Sequence, residues 1–254
     1  MVSRRRWSGL SPFFAKPVLF IGHLEEIKRV EPDITNIKIG SACSLTSLLE
    51  HREIPEVLKI VISQMATPAI RNIGTLGGNI CNASPAGDAL PVLYALDASV
   101  VLQRKAEIRT LPIEKFITGP GETVLKDDEL LTSIIIPKKS YNVGFYRKVG
   151  TRQANSLSKL SFQGLARIEE GKISDIRISF GAVALTVIRS REIEELLIEK
   201  SGKEIEKLIS EVSSLYSAVI KPIDDQRSNI RYRKTISLKL LRYFLRTVLI
   251  SKIG

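Results

Sequence analysis

Short apolar runs alternate with helically spaced apolar residues along the first half of the chain. Apolar runs flanked by polar residues predict strands, whereas apolar residues that recur at helical spacing predict helices. Ser44 and Pro55 suit the start of two helices, because a serine side chain can cap a helix and proline fits its first turn. The predicted elements are strands at 18–21, 37–40, 99–103 and 130–136, and helices at 24–30, 45–49, 55–65 and 89–96.

The second half of the chain changes from strand patterns to helix patterns. Two strand-like runs, 157–169 and 173–184, flank a turn centred on Gly171, and such a turn predicts an antiparallel hairpin. The polar stretch at 138–142 separates the two halves and suggests a domain boundary. The other predicted elements are a strand at 146–149 and helices at 192–198, 203–216 and 235–249.

The length and composition are those of a globular protein of two domains. The chain has 254 residues, of which 44% are hydrophobic, so it can bury a core in each domain. The 38 Lys and Arg residues exceed the 27 Asp and Glu residues, which gives a net charge of +11. Because the excess is spread along the chain and no aromatic-basic motif accompanies it, we expect no nucleic-acid partner.

The sequence indicates a cytoplasmic protein without a membrane span. No run reaches the roughly 18 apolar residues of a membrane helix, and no secretory signal follows the arginines near the N-terminus. Cys43 and Cys81 form no CxxC unit, which favours a reducing compartment. The two histidines, His23 and His51, lack metal-ligand company and supply no catalytic triad.

Residues 66–88 form a small, polar, glycine-dense run that predicts a loop system. Gly74, Gly77 and Gly78 would let the backbone approach a ligand closely, because no side chain stands in the way. Consecutive exposed amide groups could then cradle an anion such as a pyrophosphate.

Three polar side chains of this run add to the candidate site. Thr75 and Asn79 offer a hydroxyl and an amide to phosphate or ribitol oxygens, and Asp88 offers an acceptor to a hydroxyl or a ring NH. The alternative is that Gly77-Gly78 forms only a tight turn. The spacing is not that of a Rossmann fingerprint, and no P-loop lysine motif occurs.

The run at 66–88 resembles the second flavin-binding signature of the FAD-binding (medium) subunit of molybdenum hydroxylases, the family of xanthine dehydrogenase and carbon monoxide dehydrogenase flavoproteins. The runs 146–152 and 158–161 resemble the start of that family's C-terminal domain, and 225–233 resembles the segment before its last helix. The likeness extends from about Pro17 to the end of the chain.

This resemblance implies an α+β fold in two parts. An FAD-binding domain of the PCMH (vanillyl-alcohol oxidase-like) type would occupy 17–138, and a C-terminal α+β domain with an antiparallel sheet and helices would occupy 142–254. Residues 1–16 would form an unmatched tail.

The resemblance also assigns roles to individual residues. Asp88 would contact a non-covalently held FAD, and Leu131 with Arg147 or Lys148 would sit by the isoalloxazine. The phosphates and ribitol of FAD would be lined by Thr75, Leu76, Gly77, Gly78 and Asn79.

The resemblance implies that the chain is one oxidoreductase subunit of a heterotrimer. A large subunit would hold the molybdenum cofactor, a small subunit two [2Fe-2S] clusters, and this chain would pass electrons through FAD to NAD⁺ or another acceptor. Its two cysteines have no cluster-ligand spacing, which agrees with that division. The run 150–156 favours purine-type hydroxylases by similarity, although substrate choice would reside in another subunit.

The sequence departs from the family at its start. No Ala-Gly-Gly-Thr loop precedes the segment that begins at Pro17, and we expect a truncated or frame-shifted gene start. Two alternatives therefore stay open. The first is a non-catalytic remnant that docks to partners without FAD, and the second is a vanillyl-alcohol oxidase-type flavoprotein that acts alone on its substrate.

Overall fold

The computed structural model describes residues 19–152 and 156–253. The expected tail at 1–16, the first residue of the strand predicted at 18–21 and the middle of the 150–156 run lie outside the described residues. None of the described helices combines the length and the apolar character that crossing a membrane requires.

The first half of the described chain forms a mixed unit of strands and short helices. A 3₁₀ turn at Glu25–Lys28 comes first. The strands are β1 (Val30–Pro32), β2 (Asn36–Gly40), β3 (Ser99–Arg104), β4 (Glu107–Pro112), β5 (Ile117–Gly119), β6 (Glu122–Thr123) and β7 (Leu130–Pro137). The helices are α1 (Leu45–Glu50), α2 (Glu56–Ser63), α3 (Pro68–Ile73), α4 (Leu76–Cys81), α5 (Ala89–Ala95) and α6 (Ile113–Phe116).

Within the described residues, five of these strands form one antiparallel sheet in the order β1-β2-β7-β3-β4. The middle strand β7 alternates buried and partly buried residues, which places one face of the sheet against the helices. Apolar side chains from this face and from α1, α2, α4 and α5 form the first hydrophobic core.

Three predictions for this half are wrong. The described residues of the run at 18–21 pair with no strand, and the helix predicted at 24–30 is a single 3₁₀ turn followed by β1. The loop system predicted at 66–88 contains two helices, α3 and α4. Each of these helices begins at a threonine cap, so the threonines outweigh the low helix propensity of the nearby glycines.

The second half forms a sheet covered by helices, as predicted. The strands are β8 (Val143–Val149), β9 (Leu160–Glu169), β10 (Lys172–Gly181) and β11 (Ile188–Arg189), in the sheet order β11-β10-β9-β8. The helices are α7 (Arg191–Glu195), α8 (Gly202–Val219), α9 (Ile230–Tyr243) and α10 (Ile250–Ile253), with a π-helical turn at Phe244–Leu249 between the last two. The predicted hairpin joins β9 to β10, and its two turn residues, Glu170 and Gly171, both have positive φ.

Helix α5 connects the two halves. Each of its residues is buried. It packs against the first core on one side and against β9 and β10 on the other. Ser179 on β10 donates a hydrogen bond to the carbonyl of Pro91 in α5, at 2.7 Å.

An aspartate that follows α5 forms ion pairs with arginine side chains from the second half of the chain. Asp97 adopts a left-handed conformation after the helix. Its carboxylate accepts hydrogen bonds from Arg177 at 2.5 Å, Arg189 at 2.6 Å and Arg191 at 3.0 Å. Burial acts to raise the pKa of Asp97, but these arginines, Arg189 first among them, outweigh it and hold the pKa below its ordinary value.

Replacing Asp97 by Asn should lower the free energy of unfolding by about 2 kcal/mol at pH 7. The estimate lies below the usual cost of breaking a buried ion pair because each arginine keeps a second carboxylate partner. The pKa of Asp97 is depressed, so its contribution is present above about pH 4 and is lost as the pH falls further. Urea unfolding at pH 7 and below about pH 4 measures the effect, with a substitution of an exposed residue, Glu211→Gln, as control. An equal loss in the two variants would contradict the account.

Candidate functional site

The candidate flavin segment enters helix α4 through Thr75. The Thr75 hydroxyl accepts a hydrogen bond from the Gly78 amide at 3.0 Å, which caps the helix. Thr75 also forms an isolated antiparallel bridge with Ser44, which itself caps α1. The starts of the two helices therefore lie side by side.

The amides at the start of α4 are used within the protein, which corrects the predicted cradle of exposed amides. The Leu76 amide donates to the Cys43 carbonyl at 3.4 Å, and the Gly77 amide donates to the Ser41 carbonyl at 3.0 Å. A Cβ atom at Gly77 would lie 2.6 Å from the Ser41 Cβ atom. The glycine is therefore needed for packing against this segment, and Gly77-Gly78 is helical rather than a tight turn.

A cleft of about 470 Å³ opens beside Thr75. We call it the Thr75 cleft. Hydroxyl, amide and ammonium groups line one part of it, and apolar side chains line the rest, a mixture typical of small-molecule sites. Its polar lining is Lys28, Ser41, Ser44, Ser47, Asn72 and Thr75, and its other lining is Phe20, Ile21, Gly22, Ala42, Cys43 and Ile73.

Two polar atoms around Gly77 lack partners in the described part of the chain. Asn79 Oδ1 and Ser41 Oγ are both buried without a hydrogen bond. Such groups cost free energy when they stay unsatisfied, and natural proteins pair nearly all of them. Together with the hydroxyl lining of the Thr75 cleft, they fit a ligand rich in phosphate and hydroxyl groups, as FAD is.

A second polar group lies where the two halves meet. Asp88, at the start of α5, accepts from the Lys148 ammonium group on β8 at 2.6 Å and from the Ser158 hydroxyl at 2.6 Å. Lys148 also lies 3.5 Å from the Gln64 carbonyl. We call Asp88, Lys148 and Ser158 the Asp88 cluster. The side chains of Asp88 and Lys148 are only 14% and 9% exposed, so this pair is largely desolvated.

Neighbouring residues of β8 point to opposite sides of the sheet, and only one side faces the candidate site. Lys148 and Tyr146 face the first core, and burial, with the charge of Asp88 added, raises the pKa of Tyr146 well above its ordinary value. Phe145 and Val149 pack in the second core. Arg147 shares their side and is exposed, so the structure brings Lys148 to Asp88 and does not bring Arg147 there.

Leu131 lies inside the first core. Its side chain is fully buried on β7, and its backbone pairs with Leu102 on β3. The Leu131 side chain is therefore part of the apolar core, on a strand that contacts α4.

The sequence pattern did not single out the partners of the predicted site residues. Ser41 and Asn72 in the Thr75 cleft, and Ser158 in the Asp88 cluster, are common polar residues without a diagnostic spacing. The run of small residues that follows β2 was the one sequence feature that could have pointed to Ser41. In the described part of the chain, no group of three or more His, Cys, Asp or Glu side chains is placed to hold a metal ion.

Comparisons with known families agree with this architecture. Residues 10–139 match the family model of the FAD binding domain in molybdopterin dehydrogenase, and residues 145–248 match that of the CO dehydrogenase flavoprotein C-terminal domain. The chain therefore belongs to the family of molybdopterin dehydrogenase flavoproteins. The family and the α+β fold predicted from the sequence are confirmed. The match begins before Pro17, where the domain was expected to start.

The relatives of the chain include subunits of several different dehydrogenases. It is 33% identical to the xanthine dehydrogenase FAD-binding subunit of Escherichia coli O157:H7 over 63% of this chain and 56% of that protein. It is 30% identical to the glyceraldehyde dehydrogenase medium chain of Sulfolobus acidocaldarius over 89% and 80% of the two chains. Carbon monoxide dehydrogenase from Hydrogenophaga pseudoflava shares the fold, with a TM-score of 0.82 at 22% identity over 90% and 80% of the chains.

Replacing Thr75 by Ala should lower the free energy of unfolding by about 1 kcal/mol in the absence of any ligand, because the Gly78 amide loses its cap. Thr75→Ser should recover most of that loss, since it restores the hydroxyl. Thermal unfolding of the two variants beside the wild type measures the difference. Equal stability of Thr75→Ala and the wild type would show that the cap contributes nothing.

Proposed function

We propose that this chain is the FAD-binding subunit of a xanthine dehydrogenase-like molybdenum hydroxylase, an oxidoreductase that is active only with its companion subunits. A large subunit with the molybdenum cofactor and a small subunit with [2Fe-2S] clusters would be those companions. The chain would be the electron exit of the complex, toward NAD⁺ or another acceptor. Bound FAD would supply the redox chemistry.

The observation that carries this proposal is the buried, unpaired Asn79 Oδ1 atom, in the helix that Thr75 caps, within a domain of an FAD-binding family. An acceptor in this state favours a ligand that donates a hydrogen bond. The ribitol hydroxyls of FAD are such donors.

Thr75 and Asn79 would hold the phosphate and ribitol part of FAD, and Gly78, which has no side chain, would leave room for it. Thr75 accepts one hydrogen bond from Gly78, so its own O–H group remains free to donate. Gly78 and Asn79 are half-buried. Leu76 and Gly77 are buried, and their contribution would be to set the backbone on which the other three stand.

Lys148 would bring a positive charge to the ring end of FAD. Its ammonium group has three N–H donors. One donates to Asp88 at 2.6 Å and a second donates to the Gln64 carbonyl at the longer distance of 3.5 Å. The third donor remains for a ligand. Asp88 would act by fixing the direction of that ammonium group, because both of its oxygens already accept hydrogen bonds.

The two neighbouring cations of β8 give a matched test. Lys148→Met should raise the Kd for FAD about tenfold or more, which corresponds to about 1.4 kcal/mol, because a charge-assisted contact is lost. Arg147→Met should leave the Kd unchanged, since Arg147 faces away from the Asp88 cluster. Titration of flavin fluorescence against each purified chain measures both constants.

A double variant, Asp88→Asn with Lys148→Met, separates ligand binding from stability because it leaves no unpaired carboxylate at the domain junction. It should also bind FAD at least tenfold more weakly. Equal Kd values for Lys148→Met and Arg147→Met would contradict the proposed position of the flavin.

A further inference from the structure

Arg233 on α9 is a buried cation outside the candidate site. Its side chain is 2% exposed. One guanidinium nitrogen donates to Asp225 at 2.5 Å and another donates to the Ala182 carbonyl at 3.2 Å, while Nε has no partner among the described residues. An apolar side chain of the same volume would fill this position without the cost of burying a charge. The guanidinium group therefore points to a geometric role.

The carbonyl that Arg233 holds belongs to a constrained residue. Ala182 is buried and has a φ of +61°, in the left-handed region that alanine rarely adopts. Both of its backbone polar groups are engaged, since its carbonyl accepts from Arg233 and its amide donates to the Pro85 carbonyl at 2.7 Å. A conformation of this kind persists only when its surroundings fix it.

Pro85 belongs to the segment that leads into Asp88. In this turn the Gly87 amide donates to the Ser84 carbonyl at 2.8 Å, and Asp88 follows directly. The second half of the chain thus forms hydrogen bonds with this short segment at two points. Ala182 holds it at Pro85, and Lys148 with Ser158 holds it at Asp88.

We propose that Arg233 is a positioning residue for the flavin site. Through Ala182 it fixes the turn that carries Asp88, and so it sets where Asp88 directs the Lys148 ammonium group. The predicted effect of Arg233 on FAD binding rests on the proposed function. The predicted effect of Arg233 on the Ala182 amide is independent of that function.

Arg227 provides a matched control. It also binds the Asp225 carboxylate, at 2.5 Å, but it makes no hydrogen bond to Ala182. Burial acts to raise the pKa of Asp225, but hydrogen bonds from Arg227 and Arg233 hold it well below its ordinary value. Because Arg227 remains in Arg233→Met, and Arg233 remains in Arg227→Met, neither variant leaves Asp225 unpaired.

The experiment compares Arg233→Met, Arg233→Lys and Arg227→Met in the full chain. Hydrogen exchange of the Ala182 amide is followed without flavin, and the Kd for FAD and the flavin absorption bands are followed with it. Arg233→Met should speed exchange of the Ala182 amide about tenfold, raise the Kd by a similar factor and shift the bands. Arg233→Lys should fall between Arg233→Met and the wild type, and Arg227→Met should match the wild type.

Wild-type exchange at Ala182 in a folded Arg233→Met chain would overturn the proposal. Equal effects of Arg227→Met and Arg233→Met would also overturn it, because the effect would then come from Asp225. If Arg233→Met does not fold, wild-type exchange in Arg233→Lys overturns it in the same way. Failure of the wild type to bind FAD would instead contradict the proposed function, since the exchange measurement needs no flavin.

Discussion

Helix α5 is the constraint on which the rest of the structure depends. A helix without an exposed residue needs apolar partners all round, and neither sheet could cover it alone. The first core covers one side, and β9 and β10 cover the other, so the two halves of the chain must dock in one arrangement. The candidate flavin segment leads directly into this helix, and its position is fixed by the same docking.

Electrostatics at the ends of α5 make that docking specific. Asp88 precedes the helix but makes no capping hydrogen bond with its side chain, and its carboxylate instead reaches Lys148 and Ser158 in the second half. Asp97 follows the helix and binds arginines from the second half. Charges of opposite sign from the two halves therefore meet at both ends, which penalises any other arrangement.

Local signals in the sequence predicted much of this fold, and long-range contacts account for what they missed. The hairpin around Gly171 was predictable because its turn needs positive φ at two adjacent residues. Helices α3 and α4 were missed because their glycines and proline obscured the caps at Thr67 and Thr75. A strand was expected at 18–21 from its apolar residues alone, whereas a strand also needs a partner in a sheet.

The candidate site also has a part that the sequence predicted and a part that depends on long-range contacts. Thr75 and Asn79 were identified from one continuous segment, where the resemblance to a family is strongest. The partner of Asp88 lies 60 residues further along the chain, and the choice between Arg147 and Lys148 depends on which face of β8 meets the first core. That face is set by tertiary packing, which alternation along the strand alone does not reveal.

The most direct test of the central claim is a visible absorption spectrum of the purified chain after incubation with FAD and desalting. Oxidised flavin absorbs in two bands between roughly 350 and 500 nm. Retained bands at close to one flavin per chain, lost in Asn79→Leu, are the result that this account predicts. A colourless wild-type chain, alone and with the proposed companion subunits, would contradict it and favour a docking subunit that does not bind FAD.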